Sequence, residues 1–368
     1  MHVHTKIPVW SWLLPLLAAG LISLELIGFL HDTSILFLVP AVLLLGGSVF
    51  ASVLHAEILG ARVGEPLGSI ILAGCVTLLE VALIISIMFS GMEGGEEVAR
   101  DTVFSAVMIV LNGIIGLCLI FGSRIYHEQT FKLDAASAAL AVLGTLSALA
   151  FVLPNYAISG AARQYSWAQL LVISICCLTL YGVFLFVQTV RHRNHFIDEA
   201  DNTDGEDFFD NDREKPAGKV TLASAVLLPI SLFTVILLAE TLSHPLDHAI
   251  TALGLPQTLV GVVIAALVLL PEGISSVQAA MKNRIQQSIN LVLGSALASI
   301  GMSIPVVAFV SILLGQQLTL GLEPEQTVML LLTLFVSTLT LGTGRTTVLQ
   351  GAVHLVIFAV FVLLTIVP

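Results

Sequence analysis

The sequence predicts an all-α polytopic membrane protein with about eleven transmembrane helices. Three observations carry that prediction. Of the 368 residues 57% are hydrophobic and only 11% are charged, with a mean hydropathy of +1.01; a soluble domain carries roughly 25% charged residues. The apolar residues fall in long runs, and a helix needs roughly 20 of them to cross a bilayer. The runs are apolar on all sides, without the one-faced pattern of a helix packed in a soluble bundle.

Taken in order, the runs cover residues 9–29, 35–54, 67–89, 102–121, 135–153, 167–190, 220–239, 257–281, 288–314, 326–341 and 347–367. The first is longer than the roughly 7–15 apolar residues of a secretory signal and is interrupted by Glu25, so it is read as a membrane helix. Cys75, Cys118, Cys176 and Cys177 all fall inside runs and none has CxxC spacing, which suggests neither a disulfide framework nor a zinc site. Cytoplasmic loops retain Lys and Arg. With a cytoplasmic N-terminus, twelve of the 14 basic residues fall on the cytoplasmic side, leaving only Arg100 and Arg163 outside. The expected topology is N-terminus in, C-terminus out.

Residues 191–219, "RHRNHFIDEADNTDGEDFFDNDREKPAGK", stand apart between the sixth and seventh runs. Nine carboxylates lie between Asp198 and Glu214 against the single Arg213, and they supply most of the net charge of −11. This is a solvated linker or a collector that raises the cation concentration near a pathway mouth. It also divides the chain. After a helix over residues 1–30, five runs precede it (31–190) and five follow (220–368). Five is odd, so the two halves enter the membrane from opposite sides, the inverted repeat common in secondary transporters.

The second run of each half carries one acid in an otherwise apolar stretch: "GSIILAGCVTLLEVALIISIM" (68–88) holds Glu80 and "GVVIAALVLLPEGISSVQAAM" (261–281) holds Glu272. A charge at mid-helix costs roughly 2.5–3.5 kcal/mol on insertion scales, so such acids mark function by default. Their matched depths predict that they meet near the midplane. Pro271 and Gly273 predict an opened backbone beside Glu272, with Gly74 as the weak point before Glu80. Carboxylates with free carbonyls make an all-oxygen environment, suited to Ca2+ or Na+. The following runs supply Ser105 and Ser295, 25 and 23 residues after their glutamates, as site-lining hydroxyls. Glu240, near the outer end of its run, reads equally as an interfacial or a functional carboxylate, and His354 as a hydrogen-bonded packing residue.

Several segments resemble the calcium/proton exchanger branch of the cation/calcium exchanger superfamily: "HAEILGARVGEPLG" leading into Glu80, "AMKN" after Glu272, "GSALASIGMSIPVV" and the late "GTGRTTVLQGAVHL". The resemblance runs from about residue 50 to the end. It implies eleven helices with repeat cores at about 64–121 and 257–314. It also implies Glu80 and Glu272 as the cation- and proton-binding acids, Glu65 as an acid that helps admit cations, and a bacterial inner-membrane location. Where the family has Gly-Asn before each glutamate, this chain has Val76-Thr77 and Val268-Leu269, which puts Thr77 beside the site. A usual glutamine is Ala298, and a late Asp-Gly-x-Ser-Asn reads Thr343-Gly344-Arg345-Thr346-Thr347. Fewer side-chain oxygens predict either selectivity relaxed from Ca2+ toward the monovalent cations Na+ and K+ or a shell completed by waters and carbonyls.

The expected activity is therefore export of these cations in exchange for H+, with a cation channel using the same acids as the alternative. No HExxH, P-loop or clustered-aspartate motif points to an enzyme. The expected partners are inorganic cations, protons and the lipid bilayer, with no cofactor and no nucleic acid.

Overall fold

The computed structural model describes residues 7–28, 35–64, 67–89, 95–157, 162–192, 195–196, 216–252 and 254–367. Among these, eleven helices are long and apolar enough to cross a membrane. They are α1 (Val9–Leu26), α2 (Ile35–Val63), α3 (Leu67–Phe89), α4 (Val98–Tyr126), α5 (Leu133–Tyr156), α6 (Trp167–Arg191), α7 (Gly218–Ala252), α8 (Thr258–Met281), α9 (Ile285–Leu314), α10 (Pro324–Leu341) and α11 (Val348–Ile366). Strand pairing among the described residues is confined to two isolated bridges, Thr130 with Arg345 and Gln164 with Thr319. Large apolar side chains crowd the outside as well as the core: Leu313 is 82% exposed, Leu349 74% and Phe335 63%. Water would penalise such a surface and hydrocarbon does not. The chain is an integral membrane protein.

The helices form two compact units. The first contains α1, α2, α3 and α7. Its centre is marked by His55, fully buried on α2, whose Nδ1 lies 3.2 Å from Ser224 Oγ on α7 and whose Nε2 lies 3.2 Å from the Ser11 carbonyl on α1. With both nitrogens partnered, a polar residue sits in the bundle without the cost of an unmade bond. That pairing explains why α2 continues to Val63, beyond the residue 54 at which hydropathy ends it. At the same end Arg62 Nη1 donates to the Pro216 carbonyl at 3.4 Å.

The second unit contains α4, α5, α6, α8, α9, α10 and α11. α4 is its core, with every residue from Val98 to Leu111 buried. It packs against α8, α9 and α11. α4 and α11 cross at Gly116 and Gly351, where a Cβ on Gly351 would lie 2.9 Å from the Gly116 carbonyl oxygen. Small residues at such crossings let backbones touch, the main source of helix attraction in lipid. α4 also begins earlier than its hydropathy implies. Arg100, expected in an outer loop, is 1% exposed in its first turn: Nε donates to Asp101 Oδ1 at 2.8 Å, Nη2 to Glu97 Oε2 at 3.0 Å and Nη1 to the Gly321 carbonyl at 3.3 Å. Paired charges can enter the helix that single ones would end.

Among the described residues four helices contain a π turn: α4 at Ile109–Ile114, α5 at Ala148–Val152, α6 at Val187–Arg191 and α9 at Ser299–Ser303. Such turns concentrate at functional sites. Those in α4 and α9 begin four residues after Ser105 and Ser295 respectively.

Candidate functional site

In the second unit the site is built around Glu272, half-buried in mid-α8. Ser295, on α9, donates its hydroxyl to Glu272 Oε2 at 2.5 Å. Ser276, one turn further along α8, donates to the Glu272 carbonyl at 2.7 Å. Tyr181, buried on α6, lies within electrostatic range of the carboxylate. It is seated against the π turn of α9, where a Cβ on Gly301 would come within 2.7 Å of Tyr181 Cβ. α8 and α9 thus meet at one acid, with Tyr181 of α6 in its electrostatic surroundings. Ser105 is buried in α4, the helix packed on α8, and precedes its π turn by four residues.

The backbone beside Glu272 differs from the sequence expectation. α8 runs unbroken from Thr258 to Met281 with Pro271 inside it. The missing proline N–H leaves the Leu267 carbonyl without its usual partner four residues on, but the helix does not unwind. The same holds for α3 at Gly74. Packing on both sides of each helix holds the turns that an isolated peptide would lose.

In the first unit Glu80 is 5% exposed on α3, and Thr77, one turn earlier, is 2% exposed. The spacing of three places both side chains on one helix face. α3 packs against α2 and α7, and α7 carries the buried hydroxyls of Ser231 and Thr234. Each hydroxyl donates to a carbonyl of its own helix, which satisfies it inside the bilayer. Glu65 and the acidic stretch 198–214 lie outside the described residues.

Two features were not picked out from the sequence. Tyr181 is a mid-span tyrosine, whereas membrane tyrosines gather at the interfaces, and that position was the available signal. Glu57 is a half-buried acid on α2, in the helical stretch beyond residue 54. His354, expected as a packing residue with hydrogen bonds, has them: Nδ1 is 3.2 Å from Asn112 Oδ1 and Nε2 is 2.9 Å from Thr340 Oγ1.

Among the described residues, eleven helices apolar enough to cross a membrane, with a buried carboxylate in mid-α3 and a half-buried one in mid-α8, define a polytopic membrane protein. The chain belongs to the sodium/calcium exchanger protein family, whose pattern matches residues 33–190 and 223–367. It is 59% identical over 362 residues to the y4hA protein of Sinorhizobium fredii, covering 98% of this chain and 97% of that one. It is 32% identical over 363 residues to the sodium-potassium/proton antiporter ChaA of Escherichia coli, again covering 98% and 97%. Among solved structures, native YfkE superposes with a TM-score of 0.74 at 18% identity, covering 96% of this chain and all of that one. The H+/Ca2+ exchanger CAX gives 0.67 at 16% identity, covering 96% and 89%. At such identities the superpositions speak to the fold, which is that of the exchangers.

Proposed function

We propose that this protein is a secondary active antiporter that exports Na+, K+ or Ca2+ from the cytoplasm in exchange for protons. The observation that carries the reading is a pair of mid-helix glutamates, Glu80 and Glu272, on corresponding helices of the two halves. The names of its relatives support it: one is a sodium-potassium/proton antiporter and others are Ca(2+)/H(+) antiporters. Residues 31–190 and 220–368 act as inverted repeats around the two acids, with the N-terminus cytoplasmic, the C-terminus outside and the chain in the bacterial inner membrane.

The chemistry follows from competition. An ionised carboxylate with hydroxyls around it offers oxygen ligands to a hard cation. The same carboxylate, deprived of water, takes a proton readily. Cation and proton therefore exclude one another at one site. Ser295 holds Oε2 of Glu272 in place, Ser105 and Thr77 add hydroxyl oxygens, and the family resemblance gives Glu65 a part in admitting cations. If the site crosses the membrane only when occupied, an inward proton gradient drives cation outward.

The test is proton flux in energised inside-out vesicles carrying a pH-sensitive dye. Exchange predicts that Na+, K+ or Ca2+ each dissipates the gradient with saturation, and that flux persists when the membrane potential is clamped. Flux of the cation down its own gradient without proton movement would identify a channel instead and refute the exchange reading.

A further inference from the structure

One imidazole lies inside the second unit. His354, on α11, is fully buried. Asn112, which faces its Nδ1, sits in the π turn of α4 and gives its own Nδ2 to Thr333 Oγ1 at 2.9 Å. With the amide so placed, Asn112 Oδ1 can only accept, and Nδ1 of the imidazole carries a hydrogen whatever its charge.

The other nitrogen meets a hydroxyl with a choice. Thr340 Oγ1 is 2.9 Å from His354 Nε2, 2.9 Å from the Val336 carbonyl and 3.3 Å from the Ser337 carbonyl. A hydroxyl has one hydrogen and two lone pairs. Directed at Nε2, that hydrogen serves a neutral imidazole. Turned back to Val336, it frees a lone pair to accept from Nε2–H of an imidazolium. One bond rotation serves both states, and no heavy atom has to move.

We propose that His354 is a second proton-binding site, separate from the paired glutamates, whose protonation tightens α11 on the π turn of α4. On protonation the Nδ1–H bond to Asn112 becomes charge-assisted, and such bonds are about twice as strong as neutral ones. Gly116 and Gly351 already hold the two backbones in contact beside it, so the added strength falls on the π turn. α4 in turn packs on α8, which carries Glu272. The helices packed against α11 are α4, α8 and α10. Their ionisable groups are Arg100, Asp101, Cys118, Arg124 and Tyr126 on α4, Glu272 on α8 and Glu325 on α10. None of these hydrogen-bonds to the imidazole. The proton comes from solvent and returns to it, so no further reactant is required.

This inference rests on the exchange reading for its transport assay, and a second readout is independent of it. Purified full-length protein with 15N-labelled histidine is titrated by NMR as wild type and His354→Gln. A resonance present only in wild type passes from neutral to imidazolium as pH falls. In vesicles, proton competition at the glutamates slows exchange on the acid side in every variant, and wild type falls there by a further factor of roughly five, the low end of common coupling energies. His354→Gln and Thr340→Val lack that further fall, and Thr340→Ser behaves as wild type. If His354→Gln does not fold, the Thr340 pair carries the comparison. Superimposable pH profiles, or a His354 resonance that never titrates, would overturn the proposal. A titrating resonance in a protein that exchanges nothing would establish the site while removing the exchange reading.

Discussion

Ser295→Ala removes the hydroxyl that donates to Glu272 Oε2. It adds no bulk in the half-buried space between α8 and α9, so its effect isolates one bond. A hydrogen bond to a charged group contributes about 1.5–3 kcal/mol. Each 1.4 kcal/mol is a factor of ten in an equilibrium constant, so the low end of that range corresponds to about a tenfold weaker cation site. The expected outcome in the vesicle assay is a half-saturating cation concentration raised by about tenfold, with the maximal rate at saturating cation nearly retained. Ser295→Thr, which keeps the hydroxyl, stays within about threefold of wild type. An alanine variant with unchanged half-saturation would refute the reasoning, because Ser295 would then be a packing residue and Glu272 would not need its help.

Three other perturbations follow from the same geometry. Arg100→Ala strands Glu97 and Asp101 beside a buried space and should cost about 3–5 kcal/mol, read as a lower unfolding midpoint in detergent; removing Asp101 as well should cost less than the two single changes together. Gly351→Leu places a side chain where a Cβ alone would be 2.9 Å from the Gly116 carbonyl, so it should separate α4 from α11 and lower the midpoint by several degrees, about the shift of 1–2 kcal/mol in a protein of this size. Thr77→Asn adds a carbonyl oxygen one turn from Glu80. Since calcium takes six to eight oxygens, the ratio of Ca2+ to Na+ half-saturation should move toward Ca2+, and an unchanged ratio would remove Thr77 from the site.

Much of this protein was legible in its sequence because hydrocarbon imposes a simple rule on composition. All eleven helices answer to apolar runs, and Glu80 and Glu272 stand out because nothing near them in sequence is charged. What hydropathy missed is where polar groups satisfy one another across helices. α2 runs past His55 because Ser224 and the Ser11 carbonyl meet the imidazole. α4 takes in Arg100 and Asp101 because each neutralises the other. Pro271 was expected to open α8, and a local rule did point that way, but tertiary packing keeps the helix continuous. The π turns are a matter of hydrogen-bond register, which composition does not encode. Ser295 was identified from its distance along the chain to Glu272, and its hydroxyl does reach that carboxylate. Tyr181 arrives from α6, roughly ninety residues away along the sequence, and its mid-span position is the one local mark it carries.

The central proposal is that Glu80 and Glu272 are both required for the exchange of cation against proton. Its most direct measurement is cation-driven proton release in inside-out vesicles, comparing wild type with Glu80→Gln and Glu272→Gln at matched amounts of folded protein. The account predicts saturable release in wild type and none in either variant, since each glutamine keeps the shape and loses the charge. Normal release from either variant would contradict it.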